Sequence, residues 1–303
     1  MTEATTGWPL IDSPDQLTGM LADRHYLAGE GLAAAAFLAL RMGRPLFLEG
    51  DPGVGKTDFA RKIAEALDAR CIRLQCHAGL DVSQALYDWN FPRQILALRV
   101  AGEAQPGTGD RAEQLRGLYT EEFLQRRPIL QALEGGRTVL LIDEIDRADD
   151  EFEALLLQVL EDYTVGIPEL DDVRAPFPPL VILTSNRTRE VHDALKRRCL
   201  YHWIAHPEPE LEERILRERV PKLEQVLARQ IATGMQRVRS AKNVTKPPGV
   251  AESIDFAAAL TTYGAAALTP ATVDAAVSTV VKHHEDLEVV RQLLLVPHQR
   301  EAA

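Results

Sequence analysis

Residues 50–57 read Gly-Asp-Pro-Gly-Val-Gly-Lys-Thr, a glycine-rich segment that ends in a Lys-Thr pair. An apolar run, Pro45–Leu48, precedes it, and the pattern that follows predicts an amphipathic helix from about Lys56 to Leu67. Glycines let the backbone curl so that successive N–H groups point at one anion, and a helix N-terminus adds positive potential. The stretch therefore predicts a phosphate-binding loop between a strand and a helix.

The residue types of this loop predict how it binds a triphosphate. Main-chain N–H groups face the β- and γ-phosphates, Lys56 supplies a point charge, and the Thr57 hydroxyl ligates Mg²⁺. The predicted nucleotide-binding residues of the loop are Gly50, Asp51, Pro52, Gly53, Val54, Gly55, Lys56 and Thr57.

Short apolar runs alternate with helical patterns over the first 200 residues. Each run has four or five residues, and the five runs together are mostly Leu, Ile and Val, which is typical of strands that are covered on both faces. The alternation predicts an α/β fold with a five-stranded parallel sheet flanked by helices. The runs are Pro45–Leu48, Cys71–Leu74, Thr138–Ile142, Leu180–Thr184 and Leu200–Ile204.

Two carboxylates, Asp143 and Glu144, follow the run Thr138–Ile142 directly. The carboxyl ends of the strands are where an open α/β sheet places its ligand. Asp143 is predicted to bind the nucleotide through Mg²⁺, mostly by way of the metal's water shell, because Mg²⁺ dehydrates reluctantly. Glu144 is predicted to be the base that polarises the attacking water.

Polar residues also border the last two runs. Asn186 follows Leu180–Thr184 and can hydrogen-bond the γ-phosphate and the lytic water if this strand lies between the other two. Arg197 and Arg198 lead into the last run, where an arginine in a ring would reach the γ-phosphate that a neighbouring subunit holds. Arg198 is preferred because it directly precedes the strand. The predicted catalytic residues are Lys56, Glu144, Asn186 and Arg198.

Composition limits the class of partner and the compartment. The chain has 303 residues and a net charge of −11 without a basic run, which argues against sequence-independent binding of nucleic acid. The longest apolar stretch, Leu32–Leu40, is too short to span a bilayer, and Met1–Leu10 lacks the pattern of a signal peptide. We therefore expect a cytoplasmic protein that has no membrane partner.

From about Glu208 onward the pattern is helical. It predicts a large α/β domain over residues 1–206, whose first 25 residues form a loose extension, and an all-helical lid domain over residues 207–303. The predicted lid helices are Glu210–Val220, Lys222–Val238, Glu252–Thr262 and Pro270–Val290.

The ordered set of phosphate loop, Asp-Glu strand, Asn-tipped strand and arginine before the last strand resembles the AAA+ superfamily of ring-forming ATPases. Asp143–Ala148 reads DEIDRA and is similar to the DEINRA of the MoxR branch. A helix over Asp150–Glu161 and a hairpin from Tyr163–Ile167 to Val173–Ala175 also resemble that branch. Three stretches look most like CoxD-type proteins: His77–Leu96, Leu195–Ile204 and Lys246–Phe256.

This resemblance implies an ATPase that uses ATP and Mg²⁺ in a hexameric homo-oligomeric ring. It also implies a protein client, a von Willebrand A-domain partner, and a role in the maturation of a metalloenzyme of the molybdenum hydroxylase or CO dehydrogenase type. One position departs from the pattern, because MoxR-type lids carry a nucleotide-contacting arginine where this chain has Ala271.

Several alternatives stay open on the sequence alone. A rubisco-activating ring of the CbbQ kind has the same ATPase chemistry and differs only in its client. A nucleic-acid machine belongs to the same superfamily but fits the negative charge poorly. A small-molecule P-loop kinase explains the loop but not Asn186, Arg198 or the lid. A GTPase is disfavoured because the chain has no Asn-Lys-x-Asp motif, although no single residue selects ATP over other triphosphates.

Overall fold

The computed structural model describes residues 8–29, 31–104, 117–168 and 170–296, without the side chains of residues 101–104. The chain divides into two compact units, and each is built from several segments. The first unit comprises Met1–Asp12, Ala35–Leu48 and Ile63–His202, and the second comprises Ser13–Ala34, Glu49–Lys62 and Trp203–Ala303. A domain boundary between residues 206 and 207 stays a prediction.

A five-stranded parallel sheet dominates the fold. Its strand order is β2-β5-β8-β1-β9, which confirms the predicted fold class. The strands along the chain are β1 (Leu46–Gly50), β2 (Arg70–Gln75), β3 (Tyr87–Trp89), β4 (Leu124–Arg126), β5 (Thr138–Asp143), β6 (Thr164–Val165), β7 (Val173–Arg174), β8 (Leu180–Ser185) and β9 (Leu200–Ile204).

Helices connect the strands and make up most of the C-terminal part. They are α1 (Pro14–Ala22), α2 (Leu32–Met42), α3 (Lys56–Ala66), α4 (Val82–Ala85), α5 (Phe91–Ala104), α6 (Pro128–Glu134), α7 (Asp150–Asp162), α8 (Asp193–Arg198), α9 (Pro209–Arg219), α10 (Gln225–Ser240), α11 (Val250–Tyr263), α12 (Pro270–Ala276) and α13 (Leu287–Leu295). Among the residues whose structure is described, no helix is long and apolar enough to cross a membrane.

The central strands show why their sequences lack the alternation of a half-exposed strand. Every residue of β5 and of β8 is buried. The strands are in register with Leu140 of β5 opposite Ile72 of β2 and Val181 of β8. Since helices cover a parallel sheet on both faces, side chains that point either way must be apolar. Apart from Thr138 at the start of β5, polar residues replace the aliphatic ones only at the carboxyl ends of these two strands.

Two small antiparallel pairs extend the first unit. β6 pairs with β7 through Thr164 opposite Arg174 and Val165 opposite Val173, which confirms the hairpin predicted after the acidic helix. Tyr87–Trp89 forms β3 and pairs with β4. The Trp89 ring also meets Tyr119 edge-on, with 5.2 Å between the ring centroids. A three-residue strand is too short to show a period, so the sequence could not reveal this long-range pair.

The helices of the second unit have a core of their own. Leu227, Ile231 and Met235 line one face of α10, where they pack with Phe256 and Leu260 of α11. All five side chains are at most 1 % exposed. Helices α9, α10 and α11 agree with the predicted lid helices to within a few residues.

The prediction of one long helix over Pro270–Val290 is wrong. Helix α12 ends at Ala276, a 3-10 turn covers Val277–Thr279, and α13 begins at Leu287. β-Branched residues crowd the stretch 277–281 (Val-Ser-Thr-Val-Val), and such residues lose side-chain freedom in a helix. Asp286, which directly precedes α13, also accepts hydrogen bonds from the backbone N–H groups of Thr245 and Lys246, at 2.8 and 3.2 Å. These bonds hold the start of α13 in place.

Part of the segment expected to be a loose N-terminal extension is helical. The Ser13 hydroxyl caps α1 by accepting a hydrogen bond from the backbone N–H of Gln16 at 3.2 Å. Leu17 and Leu21 of this helix are fully buried. Residues 1–7 lie outside the described residues.

Candidate active site

The glycine-rich loop lies between the end of β1 and the start of α3. Gly53 and Gly55 have φ values of +80° and +95°, which residues with a Cβ rarely adopt. An ideal Cβ on Gly50 would collide with the Ile204 carbonyl oxygen. The glycine spacing is therefore what allows the main chain to curl at this point.

Lys56 is drawn into the loop that it follows. Its ammonium group donates hydrogen bonds to the carbonyl oxygens of Gly50 and Asp51, at 2.6 and 2.8 Å. The residue is only 7 % exposed, although it carries a full charge. Thr57 is half-buried in the first turn of α3. The loop thus binds the Lys56 ammonium through its own carbonyl oxygens, and the Thr57 hydroxyl follows it in sequence.

A second polar group lies in the first unit, at the carboxyl ends of β5 and β8. Asp143 is 2 % exposed, and its Oδ1 accepts a hydrogen bond from the Thr184 hydroxyl at 2.6 Å. Its Oδ2 accepts from Arg73 Nε at 2.9 Å and lies 2.6 Å from Arg73 Nη2. Both carboxylate oxygens are therefore oriented, and a guanidinium compensates the buried charge.

Glu144 has a strained backbone and a well-anchored side chain. Its φ and ψ of 58° and 51° are left-handed, which costs on the order of 1–3 kcal/mol for a residue other than glycine. The Thr184 hydroxyl accepts the Glu144 backbone N–H at 2.9 Å, while it donates to Asp143. One hydroxyl thereby contacts both Asp143 and Glu144 and fixes the end of β5.

The Glu144 carboxylate has three neighbours. Asn186 Nδ2 donates to Oε1 at 3.3 Å, whereas Gln75 Nε2 donates to Oε2 at 3.0 Å. Arg147 Nε lies 3.0 Å from the same Oε2. The structure thus brings together Asp143, Glu144 and Asn186, as expected if β8 adjoins β5. A carboxylate with donors on both oxygens keeps a defined direction, which a general base requires.

Asp146 holds the turn that carries Asn186. This carboxylate is 2 % exposed and accepts the backbone N–H groups of Asn186 and Thr188, at 3.2 and 2.8 Å. It also accepts the Thr188 hydroxyl at 2.6 Å. Asn186 is therefore fixed through its main chain as well as through its contact with Glu144.

The neighbouring thiol of Cys76 carries no charge near neutral pH. Burial raises its pKa to about 12, and the nearby carboxylate of Asp143 contributes further. The Cys76 backbone N–H donates to the Asp143 carbonyl at 2.9 Å, so this cysteine is a structural neighbour of the carboxylate.

Arg198 lies at the end of α8, just before β9. Its Nη1 donates to the Leu157 carbonyl at 3.3 Å, and its Nη2 lies 3.4 Å from the Glu161 carboxylate. Arg197 is exposed. Arg44 donates to the carbonyl oxygens of residues 197, 198 and 199 at 2.8, 3.1 and 3.2 Å, which fixes the main chain of both arginines.

Arg73, Gln75, Thr184, Asp146 and Arg44 were not found from the sequence. The polar positions 73 and 75 alternate with apolar ones at the end of β2, which is a weak signal by itself. It becomes informative only when Gln75 is known to lie opposite Asp143 across the sheet. The register of two strands that lie about 70 residues apart cannot be read from local patterns.

A family model described as AAA domain (dynein-related subfamily) matches residues 45–199. The chain belongs to this AAA family. The matched region begins just before β1 and ends just before β9, so the AAA domain contains the phosphate loop, the Asp143–Glu144–Asn186 group and both candidate arginines. AAA domains are nucleotide-hydrolysing ATPases as a family.

Solved structures of AAA proteins are among those similar to the chain. A point mutant of Thermotoga maritima RuvB has 18 % identity and a TM-score of 0.48, over 89 % of this chain and 70 % of that one. The Thermotoga maritima RuvB Holliday junction branch migration motor has 19 % identity and a TM-score of 0.43, over 89 % and 71 %. A presumed ATPase of Cytophaga hutchinsonii has 13 % identity and a TM-score of 0.49, over 92 % of each chain. No curated protein matches the chain.

Proposed function

We propose that this AAA protein binds ATP with Mg²⁺, hydrolyses the γ-phosphate, and uses the energy to remodel a client protein. The observation that carries the proposal is the anchored group of Asp143, Glu144 and Asn186 at the carboxyl ends of adjacent strands. β8 adjoins β5 on one side and β1, which leads into the phosphate loop, on the other. The loop and the two carboxylates thus follow strands that flank β8 in one sheet, and such sheets bind their ligands at the carboxyl ends of the strands.

Each residue then has a chemical task. The N–H groups of the loop and the Lys56 ammonium bind the phosphates, and Lys56 exchanges its carbonyl partners for phosphate oxygens. Glu144 accepts a proton from the attacking water, and Asn186 holds that water and the γ-phosphate in place.

The donors present fit a magnesium ion. The Thr57 hydroxyl and the Asp143 carboxylate are hard oxygen ligands, and Mg²⁺ sites of this kind use few protein ligands in addition to substrate phosphates and waters. The ion supplies electrostatic compensation for the charge that develops on the phosphate oxygens. Asp143 already has an oriented carboxylate, which is what such a site needs.

We further propose that the active oligomer is a ring of six subunits in which Arg198 acts on the nucleotide of its neighbour. The three hydrogen bonds from Arg44 support this role, because they give the segment of residues 197–199 a fixed shape. An arginine that a subunit contributes to its neighbour's site (an arginine finger) must reach the γ-phosphate in one geometry to stabilise the transition state. Arg197 is the alternative in the same segment, and it is the more exposed of the two.

The client follows from resemblance in sequence. DEIDRA at 143–148 and the CoxD-like stretches support a cytoplasmic MoxR-type chaperone in metalloenzyme maturation, with a von Willebrand A-domain partner. A rubisco-activating role is the competing assignment within the same branch. The net charge of −11 favours a protein client over nucleic acid.

Capture of the client by a hydrolysis-deficient ring tests this proposal. Glu144→Gln protein with ATP should retain a specific protein that the Lys56→Ala variant, which cannot hold ATP, does not retain. We expect a molybdenum hydroxylase or its assembly complex to be captured, and expect the purified complex to raise the ATPase rate of the unmutated chain. Stimulation by double-stranded DNA, without any stimulation by the captured protein, would overturn the protein-client proposal.

A further inference from the structure

In the second unit, the N-terminus of helix α11 lies directly against the phosphate loop. The Gly53 carbonyl accepts the backbone N–H of Val250 at 3.0 Å and that of Ala251 at 3.4 Å. An ideal Cβ on Gly249 would lie 2.7 Å from Gly53 Cα and 2.8 Å from the Pro52 carbonyl oxygen. The two backbones therefore meet at a point where neither has space for a side chain.

A buried ion pair stands behind this contact. Glu212 of α9 is fully buried, and the Arg239 side chain of α10 is 8 % exposed. The two form a bidentate pair, with Nη1 to Oε2 at 2.6 Å and Nη2 to Oε1 at 2.8 Å. Such a pair fixes the guanidinium plane in one orientation. The remaining donors of Arg239 are thereby aimed at fixed points.

These remaining donors reach the residues on either side of Gly249. Arg239 Nε donates to the Pro248 carbonyl at 2.8 Å, and Nη2 donates to the Ser253 hydroxyl at 3.0 Å. Ser253 in turn donates to the Gly249 carbonyl at 3.2 Å, while Glu252 Oε2 accepts the Gly249 N–H at 3.0 Å. The N–H and the C=O of Gly249 are thus both hydrogen-bonded to side chains. Ser253, which contacts the C=O, is itself hydrogen-bonded to Arg239.

A side-chain contact between His206 and Asp51 also reaches the phosphate loop, but it is weaker than the main-chain hydrogen bonds to Gly53. His206 Nε2 lies 3.5 Å from the Asp51 carboxylate. Burial lowers the pKa of His206, and the Arg239 charge lowers it further, so the imidazole is mainly neutral at pH 7. The contact is therefore no full ion pair, and the main-chain bonds to Gly53 are the stronger restraint.

We infer that Gly249 and Arg239 are positioning residues for ATP binding, because they press the start of α11 against Gly53 and hold the phosphate loop in shape. The inference rests on the proposed function. It also offers a route by which the position of the C-terminal helices is coupled to the shape of the phosphate loop without an arginine at position 271. The route runs from α9 and α10 through the buried pair to the main chain of α11.

Replacing Gly249 by alanine tests the contact. The added Cβ must push α11 away from Gly53, so we expect the KM for ATP to rise about tenfold or more, since displacements near 1 Å can cost up to 10²-fold. The kcat at saturating ATP should stay within about threefold, because the residues of the hydrolytic step are untouched. Gly19→Ala in α1 is the matched control, since a Cβ there meets nothing within 4 Å.

A second variant separates positioning from simple loss of stability. Arg239→Lys keeps the charge but loses the planar fork, so it should raise the KM in the same direction. Thermal unfolding of each variant shows whether the chain is folded during the assay, and Arg239→Lys decides the matter if Gly249→Ala does not fold. A lower melting temperature with a KM within about twofold of the parent would overturn the inference.

The outcome also separates this inference from the proposed function. If hydrolysis by the unmutated chain depends on Lys56 while neither variant changes the KM, only the inference fails. If hydrolysis does not depend on Lys56, the proposed site is wrong and the inference falls with it.

Discussion

The Glu144→Gln variant is expected to hydrolyse ATP about 10³-fold more slowly than the unmutated chain, while it binds ATP nearly as well. An amide cannot take the proton of the attacking water, and a positioned general base contributes ~10²–10⁴-fold. The change is nearly isosteric, and the amide oxygen can still accept from one of the two donors, Asn186 or Gln75. The fold and the phosphate loop should therefore be unaffected.

Steady-state phosphate release and equilibrium binding of a fluorescent ATP analogue measure the two halves of this prediction. Glu190→Gln is a suitable control, because Glu190 is an exposed carboxylate of the same unit. A Glu144→Gln turnover within about threefold of the parent would show that another group activates the water. Loss of binding together with turnover would instead assign Glu144 to the binding of the nucleotide.

Arg198→Ala is expected to lower the turnover of the assembled ring by about 10³-fold, because fingers in related phosphoryl-transfer enzymes contribute ~10³–10⁵. Stability should change little, since the contacts of Arg198 with Leu157 and Glu161 are long and the side chain is 36 % exposed. Turnover should be measured at concentrations where size-exclusion chromatography shows the oligomer.

Arg197→Ala is the matched control for this experiment. It removes the same charge from the adjacent residue, whose main chain is held by the same Arg44. We expect this variant to keep most of its turnover. If Arg197→Ala is inactive while Arg198→Ala is active, the finger is Arg197 and the assignment made here is wrong. If both assembled variants are fully active, the ring does not use a finger from this segment.

The strands of the sheet were predictable because burial on both faces forces a local signal. Thr138–Ile142 and Leu180–Thr184 are continuous aliphatic runs, and in the structure β5 and β8 are buried at every position. The phosphate loop was predictable for a similar reason, since Gly53 and Gly55 adopt backbone angles that other residues rarely adopt. Burial on both faces and an unusual backbone angle each restrict the residue types of a short stretch, so both can be recognised from that stretch alone.

The partners of the site residues were not predictable, because they come from distant parts of the chain. Thr184 orients Asp143 and Glu144 across 40 or more residues, and Arg73 reaches Asp143 across 70. A lone threonine at the end of one strand, or an arginine in another, has many ordinary explanations. Only the strand order and register show that these side chains meet.

The contact between Gly249 and Gly53 shows the same limit in the C-terminal part. The Pro-Pro-Gly ending of Lys242–Gly249 is typical of a loop. That the loop ends against the phosphate loop depends on the packing of α9, α10 and α11, which no local pattern encodes. The interruption of the predicted helix at Val277–Val281 has a local cause, the β-branched residues. The helical pattern on either side of this stretch nevertheless led to the prediction of one continuous helix.

The central claim is that ATP is bound and cleaved at the loop that ends in Lys56. The most direct measurement is ATP hydrolysis by the purified full chain with Mg²⁺, beside Lys56→Ala and the exposed control Lys242→Ala. Removing one charged phosphate ligand should lower the rate by about 10²-fold or more and abolish detectable ATP binding, whereas Lys242→Ala should match the parent. A Lys56→Ala protein that hydrolyses ATP as fast as the parent would contradict the account.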